Sequence, residues 1–229
     1  MSHELGSEIA GLVREAAALA PPIAPPAWVA VEHPPGLLFD GPEGRAAWIQ
    51  LGATIEAIDV AGTATGLSFT LDPDAGAPLR PLPVIATATT MSMTAHRLAD
   101  CLHLRVGHFR DAPLRLAAHV SARLAGAAAM HDCALAWLES AGAIAELAAG
   151  LPPGTVPAGA SALGAVTAAR DDRRGLVRAG RAACRIWLEA VSLGLAVQMV
   201  PALDAAALRP LGLRLDGALV AALAFGPAV

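Results

Sequence analysis

Residues 173–193 limit the fold more than any other stretch of the chain. Leu176, Val177, Ile186, Trp187, Leu188 and Val191 recur at helical spacing. Arg173, Arg174, Arg178, Arg181 and Arg185 include positions at i, i+4 and i+7 or i+8, making a basic stripe on the opposite face. Asp171 and Asp172 stand where a helix dipole favours acids, and Gly194 suits the stop. A long helix that is apolar along one side needs a second layer to cover that side. The arginine stripe reads as its solvated face.

The rest of the chain supplies that layer. Leu5, Ile9, Leu12, Val13 and Leu19 predict an amphipathic helix over 3–20, which Pro21-Pro22-Ile23-Ala24-Pro25-Pro26 stops and continues as an extended segment. Trp28–Glu32 and Gly36–Phe39 read as short strands. A helix follows from about Pro42 to Thr65, closed by Gly66. Leu67–Leu71 and Val84–Thr89 are strand-like. Helices are expected at 92–101, 113–128 and 131–149, and a long Pro/Gly/Ala/Ser-rich loop at 150–172. Ala196–Val200 and Ala218–Ala224 are strand candidates around a helical turn at 203–208. The expectation is an α+β fold in one domain spanning residues 1–229, with no internal repeat of 20–50 residues.

Composition then removes whole classes of chemistry. The chain has no Lys, Tyr or Asn, all 16 basic residues are Arg, and about a quarter of the residues are Ala. The absent residue types have AT-rich codons, so a GC-rich genome accounts for them. They nonetheless exclude a Schiff-base or P-loop lysine, a tyrosine acid and an Asn-based flavin contact. A net charge of −4 argues against nucleic acid, which needs a basic face. Cys101, Cys133 and Cys184 have no metal-type spacing, and their odd count fits a reducing cytoplasm better than a disulfide framework. The longest uncharged stretch, Leu147–Ala169, is broken by Pro152-Pro153-Gly154 and Pro157, so no membrane span is expected. Met-Ser-His-Glu at the N-terminus does not begin a signal peptide. The surplus apolar surface points to a subunit interface and a homodimer.

Few motifs carry chemistry. Gly159-Ala160-Ser161-Ala162-Leu163-Gly164 misses the nucleophile-elbow spacing and reads as a small-residue loop. His131-Asp132-Cys133, placed on a helix, would point three ways; Asp132 is expected near a helix N-terminus. His96, His103 and His108 with Arg97, Arg105 and Arg110 form a basic patch able to grip a phosphate, although such stretches are commonly solvated faces.

Several blocks together resemble the FMN-dependent nitroreductase superfamily, in particular its actinobacterial two-repeat branch. Ala179–Leu195 resembles that family's long central helix, Gln198–Asp204 its following strand and turn, and Leu223-Ala224-Phe225-Gly226-Pro227 its last core strand. Ala17–Pro22 with Trp28 is similar to its N-terminal flavin segment. Asp40, Gly44-Arg45, Leu51-Gly52-Ala53 and Phe109–Leu114 fall in matching order. The resemblance implies a nitroreductase-like sandwich of a small mixed sheet covered by helices, dimeric, with FMN at the subunit interface. It also implies that NAD(P)H reduces the flavin, which then reduces a nitro group, quinone or related acceptor.

On that resemblance His103 and Arg105 would hold the FMN phosphate, and the backbone N–H of Ala202 would face the flavin ring. The pattern departs where the flavin is held. Pro22 and Pro25-Pro26 replace Ser and Asn, His103-Leu104-Arg105 replaces Arg-Arg-Ser, and Pro201-Ala202 replaces Glu-Gly. Two functions therefore follow: a flavin-dependent oxidoreductase, or a degenerate relative without catalysis that serves as a partner subunit or sequesters flavin.

Overall fold

Two 20-residue helices organise the molecule, each preceded and followed by a pair of strands. The computed structural model describes residues 2–22, 29–33, 36–40, 44–70, 82–104, 108–200 and 203–229. In chain order the elements are α1 (Ser2–Leu19), β1 (Val29–His33), β2 (Gly36–Asp40), α2 (Arg45–Ala64), β3 (Leu67–Thr70), β4 (Leu82–Ala88) and α3 (Met93–Leu102). Then come α4 (Ala118–Ala129), β5 (Cys133–Leu138), α5 (Ala141–Ala149), β6 (Ala162–Ala168), α6 (Arg173–Ser192), β7 (Leu195–Val200), α7 (Ala205–Leu208), a 3-10 turn (Arg209–Leu211) and β8 (Ala218–Pro227). The chain is thus α+β, as its patterning indicated.

The strands do not form one mixed sheet. They form two four-stranded sheets, ordered β1-β2-β4-β3 and β5-β6-β8-β7, in which every described pair is antiparallel. Each sheet gathers two strands before and two after a long helix, so the halves share one topology. The correspondence extends to single residues. Gly52 and Gly180 are each the eighth residue of their helix, and Gly66 and Gly194 each lie two residues past its end with φ of +83° and +75°. The repeat spans about half the chain and lives in strand order, so a window of 20–50 residues does not contain it.

The helices α2 and α6 cross with their backbones in contact. A Cβ at Gly52 would stand inside the carbonyl group of Val177, and one at Gly180 inside that of Ile49. The contact needs a hydrogen atom on both sides. Trp48, Ile49, Leu51, Ile55 and Ile58 of α2 pack with Leu176 and Val177 of α6 and with Ala10, Val13 and Ala16 of α1. Asp172 caps α6, its carboxylate accepting from Gly175 N at 2.8 Å. Cross-helix contacts also tie the starts together: Arg173 lies 4.0 Å above the Trp48 ring, and Arg45 pairs with Asp171 and donates to the Leu219 carbonyl.

Three expectations fail around the second sheet. The helix expected at 131–149 is strand β5 followed by α5, and β6 lies inside the loop expected at 150–172. All seven residues of β6 are buried, because both faces of this sheet are covered. Val166, Leu223 and Phe225 face the α6 layer, whereas Leu163, Ala165, Ala222 and Ala224 face Ile144 and Leu147 of α5 and Leu208 of α7. Burial on both faces removes the alternation by which a strand is recognised. Ala-rich β5 has helix-forming residues, but pairing from Cys133↔Ala168 to Leu138↔Leu163 prevails. Finally, α4 begins at Ala118 rather than 113: the preceding residues run extended, with Leu114 N donating to Ser161 Oγ at 3.2 Å. The start expected at Pro42 lies outside the described residues, and α2 begins at Arg45.

Candidate functional site

Of the three flavin contacts anticipated from the sequence, one lies among the described residues. His103 is exposed at the C-terminal end of α3. Arg105 and Ala202 lie outside the described residues, as do Pro25 and Pro26. The wider His/Arg patch is divided. Arg97 leaves it to approach Glu189 of α6 at 3.5 Å, while the backbones at His108 and Arg110 run beside the end of β8, bonded to Val229 and Pro227.

Ionisable groups concentrate instead where α2 crosses α6. Glu56 is 2 % exposed. Arg181 Nε donates to its Oε2 at 2.9 Å, and Arg185 Nη1 to its Oε1 at 3.2 Å. Arg181 Nη2 also donates to Asp59 Oδ2 at 2.7 Å, one turn further along α2. His131 also approaches, its Nε2 3.2 Å from Glu56 Oε2. A second acid, Glu189, accepts from Arg123 Nε of α4 at 2.8 Å, with Arg97 of α3 nearby.

The energetics of Glu56 follow from this enclosure. Burial alone would push its carboxyl up, but His131, Arg181 and Arg185 outweigh burial and hold the pKa at about 2. Arg181 is kept charged: its carboxylate partners overcome the effect of burial. Cys184, on the same helix, is driven well above the usual thiol range by burial, with Glu56 adding to the rise. Burial, aided by Asp132, takes Cys133 up to about 11. All three cysteines are free and buried. None has the depressed pKa of an activated thiol.

Two readings of single residues change accordingly. The α6 stripe is not uniformly solvated, since Arg181 and Arg185 are 28 % and 14 % exposed at the side chain. His131-Asp132-Cys133 is a turn entering β5, not a helix. Asp132 follows α4, has φ of 56°, and pairs with Arg178 at 2.8 Å. Neighbouring residues can therefore diverge usefully, with His131 reaching α2 and Asp132 reaching α6. Sequence reasoning passed over Glu56 and Asp59, although they are the two acids of an otherwise mostly apolar helix. That isolation was the available signal.

A cavity of about 420 Å³ opens elsewhere, between α7 and β8, lined by Arg209, Arg214, Leu213, Leu215, Ala205 and two glycines. No group of three or more His, Cys, Asp or Glu among the described residues could hold a metal ion. Among the described residues, no helix is long and apolar enough to cross a membrane. In comparisons with known proteins, the chain matches no family model and no curated protein.

Proposed function

We propose that the protein works by binding and not by catalysis, as a partner subunit or ligand-sequestering protein. The observation that carries this reading is that its buried carboxylate, Glu56, is paired with arginines of its own chain. Across the α2–α6 crossing Glu56 accepts from Arg181 and Arg185, and Arg181 also donates to Asp59. A general acid or base works best with a pKa near the operating pH and within reach of substrate. Glu56 sits at about 2, the buried thiols are raised, and none of these groups lines the 420 Å³ cavity. The cluster has the character of a structural junction.

The flavin-dependent reading, an FMN oxidoreductase using NAD(P)H against a nitro or quinone acceptor, rests on the resemblance of the sequence blocks, and so does the finer likeness to a nitroreductase sandwich. Its one described contact, His103, is exposed. A homodimer remains part of the proposal. Because α2 and α6 cover each other within one chain, the dimer contact would use another face.

The test is the visible spectrum of the purified protein with and without added FMN, followed by NAD(P)H consumption with a quinone acceptor. The expected result is no NAD(P)H oxidation above that of free FMN. A yellow protein bleached by NAD(P)H and reoxidised by the quinone would overturn the proposal. A yellow protein without turnover would identify the flavin-sequestering form.

A further inference from the structure

Arg209 and Arg214 differ from most of the described arginines. Arg45, Arg123, Arg178, Arg181 and Arg185 each meet a carboxylate. The guanidinium groups of Arg209 and Arg214 make no hydrogen bond or ion pair with a described residue, yet both line the 420 Å³ cavity. Among the described residues, no carboxylate lines it with them. The nearest acid before α7 in sequence, Asp204, is engaged in capping, its Oδ1 accepting from Ala206 N at 3.0 Å.

The wall that carries Arg214 is fixed at both ends. Leu213 is buried and its N–H returns to Leu208 O. At the other end Thr167 Oγ1 donates to Asp216 O at 3.0 Å, and Gly217 lies so close to β6 that a Cβ there would stand 2.5 Å from Ala168 O. Gly217 also has φ of +117°, which an L side chain rarely adopts. The backbone of this wall is therefore held in place, and from it the exposed side chain of Arg214 reaches the opening, with exposed Arg209 on the other side. The cavity volume is within the usual range for small-molecule sites, which combine apolar walls with a few placed polar groups.

We infer that this cavity binds a small organic anion, with an oxyanion head on Arg209 and Arg214 and a short apolar body against Leu213, Leu215 and Ala205. Guanidinium groups suit both phosphate and carboxylate heads through paired, charge-assisted hydrogen bonds. The inference is independent of whether the protein turns over NAD(P)H, because none of its residues belongs to the candidate flavin contacts.

Calorimetric titration of the full chain with phenyl phosphate, benzoate and phenol tests it. Saturable binding of one or both anions is expected, with none of neutral phenol. Tighter binding of phenyl phosphate assigns a phosphate head, and tighter binding of benzoate a carboxylate head. Arg209→Gln and Arg214→Gln should each weaken the anion about tenfold and the double variant should abolish binding. Arg170→Gln, which alters an exposed arginine 3.9 Å from Asp172, should leave it unchanged. The proposal is overturned if neither anion binds the wild type, or if binding survives the double substitution in a protein with an unaltered melting curve.

Discussion

Arg181 of α6 and Glu56 of α2 meet across the crossing of the two long helices, Nε to Oε2 at 2.9 Å, around a carboxylate that is 2 % exposed. The acid comes from the first half of the chain and the base from the second. The contact therefore joins two topologically equivalent units into one body.

Removing the acid should cost more than an ordinary ion pair. Glu56→Gln leaves Arg181 and Arg185 facing a neutral group in a buried site, and breaking such a cluster from one side costs about 3–5 kcal/mol. Urea denaturation of the variant should show this loss. Asp171→Ala, at an exposed pair with Arg45, should change stability by less than about 1 kcal/mol.

The same carboxylate sets an acid limit. Its folded pKa is about 2 against an ordinary 4.5, so the folded state binds its proton more weakly than the unfolded state. The sign is that of a depressed acid: its stabilisation is fully present above pH 4.5 and is lost as pH falls through about 2. The amount is about 3 kcal/mol. Unfolding free energies measured across that window should fall steeply for the wild type and more gently for Glu56→Gln. Parallel curves would remove Glu56 as the source.

The glycine pair predicts opposite outcomes for one substitution type. Gly180→Ala places a methyl group in the Ile49 carbonyl and should destabilise the protein by more than about 3 kcal/mol, with Gly52→Ala similar. Gly126→Ala, in α4 with nothing within 4 Å of the new Cβ, should stabilise by about 0.5–1 kcal/mol. Thermal melts of the three variants check the contrast.

Thiol chemistry should be silent in the native state. Cys101, Cys133 and Cys184 are buried, and burial raises all three pKa values. An aromatic disulfide reagent at mildly alkaline pH should leave them unmodified until guanidinium unfolds the chain, when all three react. Rapid native modification of Cys133, the one at a chain turn, would contradict its placement.

Much of the scaffold was legible in the sequence. Helix α6 was readable from Arg173 because an aspartate cap, one apolar face and Gly194 all act locally. Helix α1 and strand β7 were found close to their observed bounds for similar reasons. Strands β5 and β6 were not, because β6 is buried on both faces and carries no alternation, and the alanines of both strands lack strong β-propensity. Of the candidate site, the arginines of α6 were visible but their partners were not: Arg181 and Glu56 are joined by a helix crossing that no local pattern encodes. The cavity arginines, Arg209 and Arg214, carried no motif at all.

By itself the sequence determined where α1, α3 and α6 begin and stop, which side of α6 is apolar, and which chemistries are absent for want of Lys, Tyr and Asn. These are properties of neighbouring residues and of composition. Only the tertiary structure decided that the strands divide into two antiparallel sheets, and that Gly52 and Gly180 share one contact. It likewise decided that two of the five stripe arginines, Arg181 and Arg185, pair across the helix crossing. The physical reason is that the cost of burying a charge depends on what faces it. For Arg181 that is set by Glu56 and Asp59 on α2, brought beside it by the crossing of the two helices.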